Sequence, residues 1–265
     1  MTVDGGVSRF DVLGSRISAL TLDRTVGLIA DRVANRAPGY ICVCTVNCVV
    51  EGLKNPEVQA TINQAWLATP DGMPMVWWGR RVGFPDMERV YGPDLLRTVI
   101  ADPRHAETTH FFYGGSPEVV DKLIERAKRI NERVKIVGKI CPPFRPLTTR
   151  QEADFAEAIN EAGPDIVWVG LGSPKQNLWM ANNRSRLRAP ILIGVGAAFD
   201  FLAGVKSQAP RWMQQNGLEW FFRLITEPRR LWKRYLIYNT IFIAHTLAHL
   251  VRSKRHSLPS QEEQR

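Results

Sequence analysis

The chain has 265 residues, 45% of them apolar, which is enough to bury a large core and excludes disorder for most of its length. Its net charge of +9 is concentrated at one end: residues 205–256 hold ten Lys or Arg and two acidic residues, net +8, which leaves +1 for the other 213. A neutral body with a basic end is not the charge pattern of a uniformly basic protein, and the reading includes no nucleic-acid partner.

From the N-terminus, MTVDGGVSRFDVLG lacks a basic start followed by a long apolar run, so a secretory signal is not expected and the protein reads as facing the cytosol. Short β-branched runs then alternate with longer helical patterns, an α/β rhythm. Strands are predicted at residues 40–45, 65–69, 110–113, 134–138, 165–170 and 191–195. Helices are predicted at 47–64, 92–100, 117–130, 149–162, 176–188 and 211–217, with Ser116 capping Pro117 and Thr149 leading its helix. Cys42, Cys44 and Cys48 lie in the apolar run ICVCTVNCVV and read as buried, reduced thiols; with Cys141 alone beyond them, no metal site is expected.

Four strand-end loops carry candidate chemistry, because the loops at the carboxyl edge of a parallel sheet are where ligands bind. In CTVNCVV, Thr45 and Asn47 place a hydroxyl, an amide and helix N-terminal N–H groups at that edge, or act as an ordinary cap. In LATPDGMPMVWW, Asp71 reads either as a turn residue beside Gly72 or as a general base held in a partly dry site. In ERVYGPDLL, Arg89 offers a planar fork to a phosphate or carboxylate, or pairs on the surface with Glu88 or Asp94. In VGLGSPKQNLWM, the glycines and the helix entry suit an anion, but neither a dinucleotide fingerprint nor a Walker lysine is present. A further glycine-rich strand end, GVGAAFDFLAG, adds Asp200, a candidate for a ribose or base edge or a helix cap.

The basic end interleaves cations with large aromatics in EWFFRLITEPRRLWKRYLIYNTIFIAH, a pattern suited to a membrane headgroup region. The uncharged stretch 235–251 contains Asn239, Thr240, His245 and His249 and is too short and too polar for a span. It reads as an interfacial helix or as one packed on the core. The domain division expected is a catalytic core at 1–204, a membrane-associating appendage at 205–256 and a polar, frayed tail at 257–265.

In this order, T-x-N, PDGMPMVWW, ERVYGPDLL, GGSPEVV, VGLGSPKQ, GVGAAFDFLAG, APRWMQQNGLEW and RLITEPRRLWKRYL make the stretch 12–236 resemble the WecG/TagA/CpsF family of bacterial glycosyltransferases. The resemblance implies an α/β fold with a Rossmann-like, mostly parallel sheet and flanking helices, the GT-E type, plus a C-terminal helical, basic-aromatic appendage. It implies an inverting transfer, independent of metal and without a cofactor. The sugar would pass from a UDP-sugar to a polyprenyl-diphosphate-linked saccharide, with the protein peripheral on the cytoplasmic face of the bacterial inner membrane. By motif, Asp71 is similar to the family's catalytic base. Thr45 and Asn47 are similar to neighbours of the reacting sugar, Arg89 and Gln176 to substrate-positioning residues, and Asp200 to part of the nucleotide site. Arg223, Arg230 and Lys233 resemble the group that folds over the pyrophosphate, Lys233 departing from arginine with a point charge in place of a fork. An apolar appendage also leaves room for a homo-oligomer. Two other classes stay open on the residues: an NAD(P) oxidoreductase and a membrane-surface binding protein without enzymatic activity.

Overall fold

A computed structural model of the protein describes residues 2–4 and 6–256. The tail expected at 257–265 lies outside the described residues. The chain opens with an antiparallel meander of β1 (Thr2–Asp4), β2 (Val7–Val12) and β3 (Ser15–Ser18), none of which the sequence pattern marks as a strand. Leu13 and Gly14 turn the β2–β3 hairpin at φ 55° and 80°, the conformation of a two-residue primed turn, but without the Asn-Gly that usually announces one.

After α1 (Leu22–Ala34) the main sheet begins with β4 (Gly39–Cys44). The predicted helix 47–64 is in fact two, α2 (Val46–Lys54) and α3 (Pro56–Gln64). Asn55 ends the first and caps the second, its Oδ1 accepting from Glu57 N–H at 2.9 Å, and Pro56 removes the N–H that a continuous helix would need. There follow β5 (Leu67–Pro70), α4 (Met73–Arg81), α5 (Gly92–Ala101), β6 (Thr109–Gly114), α6 (Pro117–Ile130), β7 (Lys135–Ile140), α7 (Thr149–Ala162), β8 (Ile166–Gly170), α8 (Lys175–Asn183), β9 (Ile191–Gly194) and α9 (Ala198–Leu202). The α7 cap falls on Thr148, whose side chain and Gln151 form a reciprocal capping box.

All six strands of the main sheet run parallel, in the order β5-β4-β9-β8-β6-β7. The fold class is therefore the α/β class expected from the alternation. Residues alternate between the two cores: Cys42, Cys44, Val167 and Val169 face the α2, α3 and α8 side, while Ile41, Val43, Ile166 and Trp168 face the α1, α5, α6 and α9 side. The helix after β4 covers one face and the helix after its neighbour β9 covers the other. That divergence leaves a crevice at their carboxyl ends. The exposed edge of β5 is shielded by the meander: Arg9 donates to Ala65 O at 2.7 Å and Trp66 O at 2.6 Å, and Ser18 Oγ accepts from Ala68 N–H.

The C-terminal end folds as α10 (Arg211–Gln215), α11 (Glu219–Thr226) and the long α12 (Pro228–His256). Trp220 of α11 meets Tyr235 of α12 edge-on at 6.1 Å, closing the helical hairpin. α12 then lies along α2, with Tyr238 OH bonded to the Glu51 carboxylate, Lys54 over the Tyr238 ring and Phe242 sunk into the core. Its other face shows Leu236, Ile237, Ile243 and Leu247 to solvent. Of the two readings of stretch 235–251, the packed one holds for the side that carries Tyr238 and Phe242, while the opposite side is open. Among the described residues, no helix is long and apolar enough to cross a membrane.

Docking of α12 depends on Phe242, so Phe242→Ala should cost the docked helix about 3 kcal/mol and speed amide exchange across 235–248 by roughly a hundredfold. Exchange in β4 and β9 should stay slow. Equal acceleration in both regions would show that α12 and the sheet open as one unit.

Candidate active site

Asp71 follows the last residue of β5, and its backbone is fixed from both sides: Asp71 N–H donates to Cys44 O at 2.8 Å, and Pro70 O accepts from Val90 N–H at 2.8 Å. The next residue, Gly72, takes φ 138°, a conformation that side chains rarely adopt, and so turns the chain at once into α4. The Asp71 carboxylate is thereby held at the carboxyl edge of the sheet with only 11% of its side chain exposed.

Arg89, in the segment leading to α5, reaches Asp71 Oδ1 with Nη2 at 3.2 Å. The same Nη2 meets Glu219 Oε2 at 2.5 Å. Tyr91 completes the group, donating its hydroxyl to Glu219 Oε1 at 3.0 Å while its ring lies 3.9 Å below the guanidinium. Glu219 arrives from the start of α11. Gly217, at φ 70°, makes that approach possible, because a Cβ there would stand 2.8 Å from the Trp77 ring of α4.

Burial is the main force on the Asp71 carboxyl group and pushes its pKa up to about 6. Arg89 opposes that rise, Glu219 adds to it, and Arg223 opposes it from further along α11. Burial works against the charge of Arg89, but the two carboxylates outweigh it and raise its pKa, keeping the guanidinium charged. Tyr91 is raised by burial first and then by Glu219, so it stays a hydrogen-bond donor.

The other anticipated residues divide into groups. Arg223 lies over the Phe201 ring at 5.7 Å, and Phe201 also packs on Tyr91, so Arg223 belongs with Asp71 and Arg89. Gln176 is buried and its Oε1 accepts from Gly172 N–H at 3.1 Å, bracing the glycine-rich loop after β8. Thr45 caps α2, accepting from Cys48 N–H at 3.4 Å, while the buried Oδ1 of Asn47 has no protein partner. Asp200 pairs with Lys206 at 3.2 Å, and Lys206 and Arg230 both meet Glu227. This second charge chain ties α9 to the loop before α12. Lys233 lies over the ring of its neighbour Trp232 at 5.4 Å.

Tyr91 and Glu219 are site residues that no sequence argument singled out. Both stand inside the quoted motifs YGPDLL and NGLEW, but the acid of NGLEW opens a segment whose dominant signal is positive charge. Ser173 Oγ, Asn177 Oδ1, Arg89 Nε and Arg223 Nε are also buried without a partner, beside Asn47 Oδ1. Buried polar atoms left unpaired are costly, and several around one sheet edge mark where a polar ligand would satisfy them. Cys42, Cys44 and Cys48 are buried and form no disulfide, as anticipated. A cavity of about 520 Å³ lined by Glu152, Trp179, Asn182, Asn183 and Arg186 includes none of the residues above.

A partly dry carboxylate with arginines at the carboxyl edge of a parallel sheet is suited to proton transfer beside an anionic ligand. Residues 10–256 match the model of the glycosyl transferase WecG/TagA/CpsF family, and the chain belongs to that family: it is a glycosyltransferase. It is similar to N-acetylglucosaminyldiphosphoundecaprenol N-acetyl-beta-D-mannosaminyltransferase of Bacillus spizizenii, 30% identical over 201 residues that cover 75% of this chain and 76% of the relative.

The raised pKa of Asp71 carries a stability cost with a definite sign. A carboxyl group whose pKa rises from 3.8 unfolded to about 6 folded binds its proton more tightly when folded, so the cost is absent below pH 4 and complete above pH 6. Asp71→Asn should therefore stabilise the fold at pH 8 by up to about 3 kcal/mol, with the gain vanishing near pH 4. Thermal melts of both forms across that range test this, and a variant less stable than the parent at pH 8 would contradict it.

Proposed function

We propose that the protein transfers a hexosyl group of the N-acetylmannosamine type from a UDP-sugar to a polyprenyl-diphosphate-linked saccharide, with inversion and without a metal ion. The Bacillus spizizenii relative, named for N-acetylmannosaminyl transfer to N-acetylglucosaminyldiphosphoundecaprenol, supports the transferred sugar and the acceptor class. The observation that carries the reading is Asp71: a carboxylate at the sheet edge whose pKa of about 6 makes it a competent base near neutral pH.

In a single displacement, the acceptor hydroxyl oxygen forms a bond to the anomeric carbon as the bond from that carbon to the diphosphate oxygen breaks. Asp71 takes the hydroxyl proton and UDP leaves with the bonding pair. One displacement inverts the anomeric carbon. Charge grows on the departing diphosphate, and in this reading Arg89, Arg223 and the N-terminus of α8 neutralise it. Gln176 holds the loop before α8 in place, Thr45 and Asn47 border the sugar, and Asp200 lies towards the nucleoside. Arg230 and Lys233 join the clamp once the start of α12 closes over the donor.

The appendage supplies the second half of the reading. Trp212, Trp220, Phe221, Ile225, Trp232 and Leu236 are exposed on α10 to α12 among Arg211, Arg229, Arg230 and Lys233. Aromatics at the headgroup boundary and cations against lipid phosphates would hold the protein on the cytoplasmic membrane surface, where a lipid-linked acceptor resides. On this account 1–204 is the catalytic core and 205–256 both anchors it and completes the site.

Purified protein in EDTA should be stabilised thermally by UDP and UDP-sugars but not by NAD; stabilisation by NAD alone would favour an oxidoreductase. Asp71→Asn should keep that UDP response while losing roughly 10²–10⁴-fold in turnover. Undiminished turnover in the folded variant would reduce Asp71 to a turn residue. Cutting the chain at Pro210 should abolish transfer to a lipid-linked acceptor, and full activity without α11 and α12 would refute the role given to the appendage.

A further inference from the structure

Glu219 has no part in the transfer just described, yet it makes the shortest contact in the site. It approaches Arg89 at 2.5 Å, against 3.2 Å from Arg89 to Asp71, and both bonds use one guanidinium nitrogen. Tyr91 holds both sides of this contact, with its hydroxyl on Glu219 and its ring against Arg89. All three charged side chains are 11–14% exposed, so solvent screens the contest for Arg89 weakly.

We propose that Glu219 is a positioning residue that draws Arg89 away from Asp71, so that docking of α11 on the core leaves the Asp71 carboxylate free to take the acceptor proton. The inference rests on the reading of Asp71 as the base. An arginine fork matches a carboxylate with two parallel hydrogen bonds, and a base bound in that way is a weak one. With Glu219 in place, Arg89 gives Asp71 one long bond only. When α11 lifts, Arg89 is free to close on Asp71 and quench it. The base is therefore strong only while the appendage is seated, which couples proton transfer to closure over the substrate.

The groups facing Asp71 are few and each has a definite effect. Arg89, from the segment before α5, and Arg223, from α11, favour the carboxylate. Glu219, also from α11, disfavours it, and the neighbouring Cys44 thiol at the end of β4 is itself raised by its hydrogen bond with Cys48 and by burial, so it stays neutral. Removing the Glu219 charge leaves two cations and no competing anion in this set, and the Asp71 pKa must fall.

The test is a pH titration of the Asp71 carboxyl carbon by NMR in the full chain, its signal identified by its loss in Asp71→Asn. The parent should titrate near pH 6. Glu219→Gln should titrate roughly one pH unit lower, and Glu219→Asp, which keeps the charge but withdraws it from Arg89, should fall between the two. The acid limb of kcat/KM should move by the same amount, with kcat down about threefold at neutral pH because a weaker base accepts the proton less readily. A purely structural role would lower the melting temperature and leave the midpoint in place. An Asp71 midpoint in folded Glu219→Gln equal to the parent's overturns the inference; if that variant does not fold, a parental midpoint in Glu219→Asp does so. Absence of any transfer by the parent protein would instead defeat the proposed function, and the titration would still decide the role of Glu219.

Discussion

One guanidinium shared between two carboxylates organises this molecule. Arg89 contacts Asp71 at the end of a sheet strand and Glu219 at the start of an appended helix, so a single side chain joins the core to the appendage. Burial, helped by the Glu219 charge and opposed by Arg89 and Arg223, holds the Asp71 carboxyl group at a pKa of about 6. The same burial is a source of instability, which ties chemistry to a stability cost at one residue.

The rest of the fold can be read as the means of keeping that arrangement in place. The parallel sheet sends the helix after β4 to one face and the helix after β9 to the other, and the crevice between them collects the loops that carry Asn47, Asp71 and Ser173. Gly72 turns the chain sharply away from the carboxylate, and α4, which begins there, presents Trp77 as the seat for Gly217 and hence for Glu219. α12 then straps the hairpin to α2 through Tyr238 and Phe242. The element that bears the base, the element that tunes it and the helix behind the reacting edge are in this way mechanically joined.

Much of this was legible in the sequence, for identifiable reasons. Except for the edge strand β7, the strands of the main sheet are buried on both faces, so they appear as continuous apolar runs such as YICVC and IVWVG, and the helices 117–130 and 149–162 fall on their predicted bounds because caps and amphipathic spacing agree. The meander was not legible, because its short strands turn at Leu13-Gly14 without a recognisable turn pair. The break at Asn55-Pro56 was legible but overridden by the apolar pattern on either side of it. Asp71 and Arg89 could be singled out by their positions at strand and helix ends. Glu219 could not, because what distinguishes it is a partner 130 residues away in sequence, and no local pattern reports that. The resemblance gave Asp200 to the nucleotide site and Arg230 and Lys233 to the pyrophosphate clamp; in the structure Asp200 and Arg230 are linked through Lys206 and Glu227, and Lys233 lies over Trp232, contacts between separate segments that no local pattern reports.

The most direct test of the account is the pH dependence of kcat/KM for sugar transfer by the unmodified protein. A base held near neutral by burial and by Glu219 predicts an acid limb with a midpoint close to 6. A limb at the ordinary carboxylate value near 4, or full activity at pH 5, would show that Asp71 is not the group whose deprotonation the reaction requires.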